Sequence, residues 1–211
     1  MKAILCKEYG PAEKLVIEEV PSPEVKGRGV KVRVKAAGLN FPDTLIIENK
    51  YQLKPSLPFS PGGEMAGEVI EVGDKVTRFK VGDRVAGLTG YGAFAEEVIV
   101  PEQNLLPVPD GMSDEKAAAF TMVYGTSYYA LKQRGNLQPG ESLLVLGASG
   151  GVGLATVELG KAMGAKVIAA ASSAEKLAVA KEAGADELIN YAEEPLKDAV
   201  KKLTHTKGVD V

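Results

Sequence analysis

Cysteine and histidine are almost missing from this sequence, which has one of each, Cys6 and His205. A single cysteine excludes a disulfide within the chain. A structural zinc site takes four ligands, usually Cys and His, and a catalytic zinc site takes three protein ligands, so this composition argues against both. Ser–His and Cys–His nucleophilic mechanisms need a positioned imidazole, and His205 lies in a lysine-rich stretch typical of a solvated helix end. We therefore expect no bound metal and no catalytic histidine.

Long hydrophobic runs and an excess of positive charge are missing as well. No run approaches the ~18 apolar residues of a membrane-spanning helix, and the N-terminus becomes charged too early for a signal peptide. The 25 Lys and Arg face 28 Asp and Glu, and the net charge of −3 offers no basic surface to nucleic acid or an anionic membrane. These absences predict a cytoplasmic protein that has no nucleic-acid or membrane partner.

The first 110 residues consist of short β-type runs separated by glycine and proline. Five runs are predicted as strands: residues 15–20, 29–36, 65–72, 84–86 and 96–100. In the second run Val30, Val32 and Val34 alternate with basic residues, which is typical of a sheet with one solvent-exposed face. This part of the chain is therefore expected to form a small β-barrel or sandwich.

Four polar residues lie among apolar neighbours in this region: Asn40, Asp43, Tyr51 and Glu64. Such a mixture is expected of the wall of a binding cleft. Asn40 and Asp43 are equally well explained as turn and cap residues, with Asp43 preceding a helical segment over residues 44–47. The sequence pattern leaves both interpretations open.

The most informative segment is residues 143–153, a short apolar run that ends in a glycine-rich turn. Residues 152–162 then have the apolar spacing of a helix, and Lys166–Ala171 has the character of a second buried strand. A strand, a glycine turn and a helix together form a phosphate-binding geometry, because the helix N-terminus presents unpaired N–H groups to an anion. This order predicts a dinucleotide site.

The glycines of this turn follow the pattern A-x-G-x-x-G, with Ala148 at the first position. Gly150 and Gly151 are expected to let the backbone turn tightly and approach a diphosphate. Gly153 is expected to let the helix pack closely against the strand. The alternative is a glycine turn that has a structural role only.

The end of the second strand indicates which dinucleotide is bound. An NAD-binding protein usually places an acidic residue about 20 residues after the glycines, where it binds the ribose 2′-hydroxyl. Here Ser173 occupies that place, with Ser172 before it, Lys176 one turn later, and no carboxylate to repel a 2′-phosphate. NADPH is therefore predicted in preference to NADH. Ser172 and Ser173 also suit the cap of a helix that begins near Ala174.

The two parts are joined by residues 101–112, which are rich in proline, and by a helical stretch over residues 116–129 with Ser113 as its expected N-cap. Beyond the second helix, the pattern predicts a third strand, a third helix and the start of a fourth strand: residues 187–191, 195–203 and 209–211. A doubly wound domain has two such halves. We therefore expect a fragment that contains the first half.

These motifs resemble the zinc-free quinone oxidoreductase branch, the zeta-crystallin-like enzymes, of the medium-chain dehydrogenase/reductase superfamily, and the resemblance covers all 211 residues. It is carried by residues 38–43, 62–67, 81–85, 147–153, and 183–185 with 189–191. Where the zinc alcohol dehydrogenases of that superfamily have zinc ligands, this chain has Asn40, Gly63 and Ala118. The resemblance implies an α/β protein: a GroES-like β-barrel catalytic domain over residues 1–122 and a partial Rossmann NADP-binding domain over residues 123–211.

The resemblance also implies hydride transfer from NADPH to a quinone or an α,β-unsaturated carbonyl, without zinc, in a homodimeric parent protein. Asn40 and Tyr51 would hydrogen-bond the substrate oxygen, with Thr126 near the nicotinamide. Ile46 stands where some relatives have a second pocket tyrosine. The implied cofactor contacts are Gly150, Gly151 and Val152 to the diphosphate, Ser173 and Lys176 to the 2′-phosphate, and Tyr191 near the adenine ribose.

Two other functions remain open at this stage. Related branches of the superfamily reduce enoyl thioesters, and Lys50 and Lys54 provide some positive charge for a phosphate-bearing substrate of that kind. A fragment that binds NADPH without catalysing a reaction is the second alternative.

Overall fold

In the computed structural model, which describes all 211 residues, the chain divides into two units, Met1–Met122 and Val123–Val211. The first unit is rich in β-strands, and the second alternates strands with helices. No helix combines the length and the apolar character needed to cross a membrane.

The first unit contains seven strands: β1 (Lys2–Leu5), β2 (Val16–Glu19), β3 (Gly29–Gly38), β4 (Glu64–Val72), β5 (Arg84–Leu88), β6 (Glu97–Pro101) and β7 (Leu105–Pro107). The first two form an antiparallel pair, and the other five form an antiparallel sheet in the order β6-β3-β4-β5-β7. The edge strands β6 and β7 are not paired with each other, so the expected barrel is an open sheet. Strands β1 and β7 were not predicted, because β1 lies at a charged terminus and β7 has only three residues and ends at a proline.

Alternating valines build the core of this sheet. Val30 and Val32 on β3 are completely buried with Val69, Val85 and Val100 of the neighbouring strands. Lys31 between them is 8% exposed, and its ammonium lies 2.6 Å from the carboxylate of Glu71 on β4. The predicted solvent-exposed face is therefore partly covered by an ion pair between two strands.

The helical stretch predicted over residues 116–129 is interrupted. It consists of α2 (Asp114–Ala118) and α3 (Thr121–Tyr128), followed by a π-helical turn, Tyr129–Arg134. Ser113 is the N-cap of α2, as predicted, and its Oγ accepts the backbone N–H of Lys116 at 3.3 Å. The interruption arises because the buried carboxylate of Glu64 accepts the backbone N–H of Met122, which creates a second helix N-terminus. The other helix of this unit, α1 (Phe41–Ile47), begins before Asp43, so Asp43 lies inside the helix.

The second unit follows the predicted order of strands and helices. Its elements are β8 (Ser142–Leu146), α4 (Gly151–Ala162), β9 (Lys166–Ala171), α5 (Ala174–Glu182), β10 (Glu187–Asn190) and α6 (Leu196–Leu203). The sheet is parallel in the order β10-β9-β8, as in the first half of a doubly wound fold. Residues 167–170 of the central strand β9 are completely buried, which explains its continuous apolar sequence.

The last residues lie along the free edge of β8. The N–H of Leu144 donates to the carbonyl of Val211 at 2.9 Å, and the N–H of Val211 donates to the carbonyl of Ser142 at 3.2 Å. This is the hydrogen-bond pattern of a parallel strand pair. Residues 209–211 are not a strand in the structure, but they occupy the place beside the first strand where the fourth strand was expected.

Candidate functional site

The glycine turn after β8 contains one residue in a left-handed conformation, Gly147. Gly147 adopts a φ of +61°, a left-handed conformation that favours glycine, whereas Gly150 has an ordinary φ of −78° as the N-cap of α4. Gly150 closes the turn, because its N–H donates to the carbonyl of Gly147 at 3.0 Å, but neither Gly150 nor Gly151 has a positive φ. In the sequence, Gly147 is an extra glycine one position before the A-x-G-x-x-G pattern, and no role was assigned to it.

Gly153 has the packing role that was predicted for it. A Cβ at this position would lie 2.3 Å from the carbonyl oxygen of Gly147 and 2.8 Å from Cα of Ala148. Both atoms belong to the backbone, so neither can move aside as a side chain could. The first turn of α4 can approach the turn that follows β8 this closely only with glycine at 153.

The N-terminus of α4 has unpaired donors that face an open groove. The first helical bond runs from the N–H of Leu154 to the carbonyl of Gly150, and no protein acceptor pairs with the N–H groups of Gly151, Val152 or Gly153. The groove has a volume of about 490 Å³ and is lined by residues 144–147, 150–153 and 156. These donors and the positive end of the helix dipole suit an anion such as a diphosphate.

Two hydroxyls that the sequence analysis missed hold this first turn of α4. Ser127 on α3 is 1% exposed, and its Oγ donates to the carbonyl of Val152 at 3.0 Å. The Oγ1 of Thr156 lies 2.7 Å from the same carbonyl and 2.9 Å from the Oγ of Ser127. The sequence around Ser127 does not indicate this role, because the group that it binds lies on another helix, 25 positions away along the chain.

The end of β9 brings the predicted hydroxyl and ammonium groups together. The Oγ of Ser173 accepts the backbone N–H of Lys176 at 3.4 Å as the N-cap of α5, and the Nζ of Lys176 lies 3.1 Å from the Oγ of Ser172. The capping role of Ser173 is therefore present. Tyr191 follows β10, is 43% exposed, and donates its backbone N–H to Ala171 at the end of β9. The carboxyl ends of the two strands thus carry Ser173 and Tyr191 at one edge of the sheet.

In the first unit, two buried carboxylates hold Asn40 at the start of α1. The Oδ2 of Asp43 accepts the backbone N–H of Asn40 at 2.8 Å, and the Oε2 of Glu64 accepts a side-chain N–H of Asn40 at 3.0 Å. The Oε1 of Glu64 accepts the N–H of Met122 at 2.7 Å. Asn40 is therefore the N-cap residue of α1, as one of the two interpretations proposed.

These two carboxylates are compensated by N–H donors and not by cations. Neither Asp43 nor Glu64 takes part in a salt bridge. Burial raises the pKa of Glu64, although hydrogen bonds from Met122, Asn40 and Thr121 favour the ionised form. Burial also raises the pKa of Asp43, against backbone hydrogen bonds from Asn40, Gly63 and Gly62. Asn40 is therefore held by two buried carboxylates, neither of which has a cationic partner.

Tyr51 and Ile46, the other residues of the first unit considered for the substrate site, belong to one packed cluster. Tyr51 packs against a buried cluster that includes Ile46 and Ile47, at the other end of α1. The seven residues of that helix span about 10 Å. Ile46 is 4% exposed in this core, so it presents no polar group. Thr126 is exposed on α3 and belongs to the second unit.

The side chains do not fit a metal site. No group of three or more His, Cys, Asp and Glu side chains is arranged to hold an ion. At the three positions compared with zinc ligands, Asn40 donates to Glu64, and Gly63 and Ala118 have no donor atoms in their side chains. His205 is exposed, and Cys6 is buried with its Sγ 3.3 Å from the carbonyl of Glu8.

Both units match known families. Residues 26–110 match the alcohol dehydrogenase GroES-like domain, and residues 151–211 match the family described as zinc-binding dehydrogenase. The whole chain is 46% identical to the quinone oxidoreductase-like protein 2 homolog of Nematostella vectensis, of which it covers 58%. The chain belongs to the quinone oxidoreductase-like branch of the medium-chain dehydrogenase/reductase superfamily. The predicted family and α/β fold class are thereby confirmed.

Solved structures of this oxidoreductase superfamily agree in fold. A probable oxidoreductase from Mycobacterium abscessus is 41% identical, with a TM-score of 0.91 over 99% of this chain and 67% of that one. The quinone oxidoreductase of Escherichia coli, solved in complex with NADPH, is 36% identical, with a TM-score of 0.93 over 99% of this chain and 64% of that one. The chain spans 58% of the length of the Nematostella vectensis relative, which is less than two thirds.

Proposed function

We propose that this chain is part of an NADPH-dependent oxidoreductase that transfers a hydride to a quinone or an α,β-unsaturated carbonyl without zinc. The observation that carries the proposal is the row of unpaired N–H groups from Gly151 to Gly153, above a groove that a diphosphate would fill. The similarity to an Escherichia coli quinone oxidoreductase solved with NADPH supports the choice of cofactor.

In this proposal, the second unit binds the nucleotide. Gly150, Gly151 and Val152 contact the diphosphate. The N–H groups of Gly151, Val152 and Gly153 are the donors, because the N–H of Gly150 is already paired with the carbonyl of Gly147. Tyr191 lies near the adenine ribose. Ser173 and Lys176 contact the 2′-phosphate, which explains why NADPH is preferred over NADH. The absence of a salt bridge to Lys176 supports this role, because its ammonium has only the Ser172 hydroxyl as a partner.

The first unit is proposed to orient the substrate. NADPH supplies a hydride from C4 of its nicotinamide ring. The second side-chain N–H of Asn40, which Glu64 does not use, would donate to the substrate oxygen, with the Tyr51 hydroxyl as a further donor and Thr126 near the nicotinamide. Reduction of a quinone to a hydroquinone takes up this hydride and one proton. A quinone is electrophilic without a Lewis acid, so the lack of zinc ligands at Asn40, Gly63 and Ala118 suits this substrate class.

The proposal is tested by following NADPH absorbance in the presence of the purified chain. We expect oxidation of NADPH with 1,4-benzoquinone and little with crotonyl-CoA. Asn40→Ala should lower the rate with quinone, whereas Asn104→Ala, at an exposed asparagine elsewhere in the same unit, should leave it unchanged. Faster turnover of crotonyl-CoA would favour an enoyl-thioester reductase. Binding of NADPH without turnover of either acceptor would overturn the catalytic part of the proposal.

A further inference from the structure

The carboxylate of Glu64 is the hydrogen-bond partner of the Asn40 side chain. We infer that Glu64 is a positioning residue, which fixes the Asn40 amide so that one N–H remains directed to the substrate oxygen. This inference rests on the role proposed for Asn40 in substrate binding. In this arrangement Asn40 contacts the substrate and Glu64 orients Asn40.

The main chain and the side chain of Asn40 are held by different carboxylates. Asp43 accepts the backbone N–H at 2.8 Å, which fixes the position of Asn40 at the start of α1. Glu64 accepts from Nδ2 at 3.0 Å, which fixes the direction of the amide. Removing Glu64 would therefore free the amide while leaving the backbone of Asn40 in place.

The chemistry of a carboxylate determines which end of the amide faces it. An ionised carboxylate only accepts hydrogen bonds, whereas an amide has a donor end and an acceptor end of nearly equal size. A flipped Asn40 would present its Oδ1 to the Oε2 of Glu64, and the two oxygens would repel each other. Glu64 thus selects the orientation in which Nδ2 faces it, and one of the two Nδ2 hydrogens is left for another acceptor.

Glu64 itself is fixed by the backbone around it. Its Oε1 accepts the N–H of Met122 at 2.7 Å, in the first turn of α3, and the helix dipole there also favours negative charge. A Cβ at Gly38 would lie 2.7 Å from the Oε2 of Glu64 and 2.5 Å from the carbonyl of Ala118. Glycine at 38 is therefore required for the carboxylate to reach Asn40. With 1% of its surface exposed, Glu64 has no room to turn away.

Glu102 provides a matched control in the same unit. It is 2% exposed, and its carboxylate also accepts backbone N–H groups in a turn, from Thr77 and Arg78, both at 3.0 Å. It does not contact Asn40. Glu64→Gln and Glu102→Gln therefore make the same chemical change in two buried carboxylates of which only one holds the proposed substrate residue.

The test combines an NMR measurement with steady-state kinetics on the full chain. In ¹H–¹⁵N spectra, with the Asn40 side chain assigned by Asn40→Ser, we expect one Nδ2 proton to be shifted downfield and protected from exchange. Glu64→Gln should abolish this signature and lower kcat with quinone by about 10- to 100-fold, the loss expected from a misdirected group. NADPH affinity should stay within about twofold, because the nucleotide groove is unchanged. Glu102→Gln should alter neither the signature nor kcat.

Three results would distinguish the possible failures. An unchanged Asn40 signature in Glu64→Gln, or an equal fall of kcat in Glu102→Gln, would overturn the role of Glu64. Loss of the signature without any turnover by the unsubstituted chain would overturn the proposed function instead. If Glu64→Gln does not fold, Glu64→Asp takes its place, because it keeps the charge but shortens the side chain by one methylene. The same loss of signature and of kcat is expected there, and an unchanged kcat would contradict the inference.

Discussion

Lys176 is the single side chain on which the proposed choice between NADPH and NADH depends. It is exposed, it has no acidic partner, and its Nζ lies beside the hydroxyl of Ser172 at the end of β9. A 2′-phosphate placed there would accept charge-assisted hydrogen bonds that the 2′-hydroxyl of NADH cannot replace. A phosphate would thus be recognised locally, which a chain with a net charge of −3 requires.

We predict that Lys176→Ala weakens NADPH binding by about tenfold, or roughly 1.4 kcal/mol, and NADH binding by less than about twofold, because only NADPH has the 2′-phosphate. Isothermal titration with each nucleotide measures both changes. Lys201→Ala, at an exposed lysine on α6, is the control and should change neither affinity. An equal loss for the two nucleotides would remove Lys176 from the 2′-phosphate site.

Two glycines at the start of α4, the N-cap Gly150 and Gly153 in the first turn, should respond very differently to alanine. Gly153→Ala places a Cβ 2.3 Å from a backbone oxygen and should lower the free energy of unfolding by about 1–3 kcal/mol, as overpacking does. In Gly150→Ala the new Cβ lies 3.5 Å from the carbonyl oxygen of Gly147, an ordinary contact, so no overpacking is expected. The only loss is that alanine is a poorer N-cap than glycine, and the free energy of unfolding should fall by less than about 1 kcal/mol. Urea unfolding of both variants tests this order, and equal losses would contradict it.

The sequence pattern predicts the role of Gly153 but not the roles of Gly147 and Glu64. The need for glycine at 153 could be predicted, because the fingerprint assigns that position to contact between helix and strand. The positive φ at Gly147 could not, because several arrangements of Gly147, Gly150 and Gly151 produce a tight turn. Glu64 was noticed as a polar residue among apolar ones, but its partners at Asn40 and Met122 are 24 and 58 positions away along the chain.

At the scale of elements, the contact between α3 and α4 holds the proposed phosphate-binding turn. Ser127→Ala should lower the free energy of unfolding by about 1 kcal/mol, since it removes one hydrogen bond to the carbonyl of Val152. Thr126→Ala, at the exposed neighbour on the same helix, should change it by less than about 0.5 kcal/mol. Thermal unfolding of the two variants measures the difference. A larger effect at 126 than at 127 would contradict this account of the contact.

The turn that precedes β5 depends on the ionised form of Glu102. Its pKa is lowered, first by the backbone N–H of Thr77, and then by Arg78 and the guanidinium of Arg28. A depressed carboxyl pKa contributes stability that is present above the unfolded-state pKa and is lost as the pH falls through the folded-state pKa. Acidification below about pH 4.5 should therefore weaken this turn.

We predict that Glu102→Gln lowers the urea midpoint at pH 7 and that the difference from the unsubstituted chain becomes smaller as the pH falls below about 4. Comparing the two chains at each pH isolates Glu102 from Asp43 and Glu64, whose raised pKa values act in the opposite direction. Glu13→Gln, at an exposed glutamate, is the control and should show no such difference. A gap that widens in acid would mean that the folded-state pKa of Glu102 is not depressed.

Elements were predicted well where local pattern and tertiary packing agree. The bounds of β9 were predicted without error, because residues 167–171 are apolar and buried within a parallel sheet. The helix over residues 116–129 was predicted as continuous, because nothing in its own sequence signals the carboxylate of Glu64, which starts a new helix at Thr121. The interruption is thus a tertiary effect that local propensity cannot predict.

At the scale of the whole molecule, the sequence predicted the α/β class, a β-rich first part and the parallel order of the second part. It did not predict that the five-stranded sheet remains open, because closure depends on how edge strands pair over long separations in sequence. The proposed function depends on two local groups of residues. They are the backbone donors at the start of α4 and the side-chain amide of Asn40, which the buried carboxylate of Glu64 holds.

The central claim is that the N–H groups of Gly151, Val152 and Gly153 bind a diphosphate. Titration of the ¹⁵N-labelled chain with NADPH, followed by ¹H–¹⁵N spectra, tests this most directly. The account predicts the largest shifts at these three amides, with further shifts at Ser173 and Lys176 that are smaller for NADH. Saturable binding that leaves these three amides unshifted, or shifts confined to other residues, would contradict it.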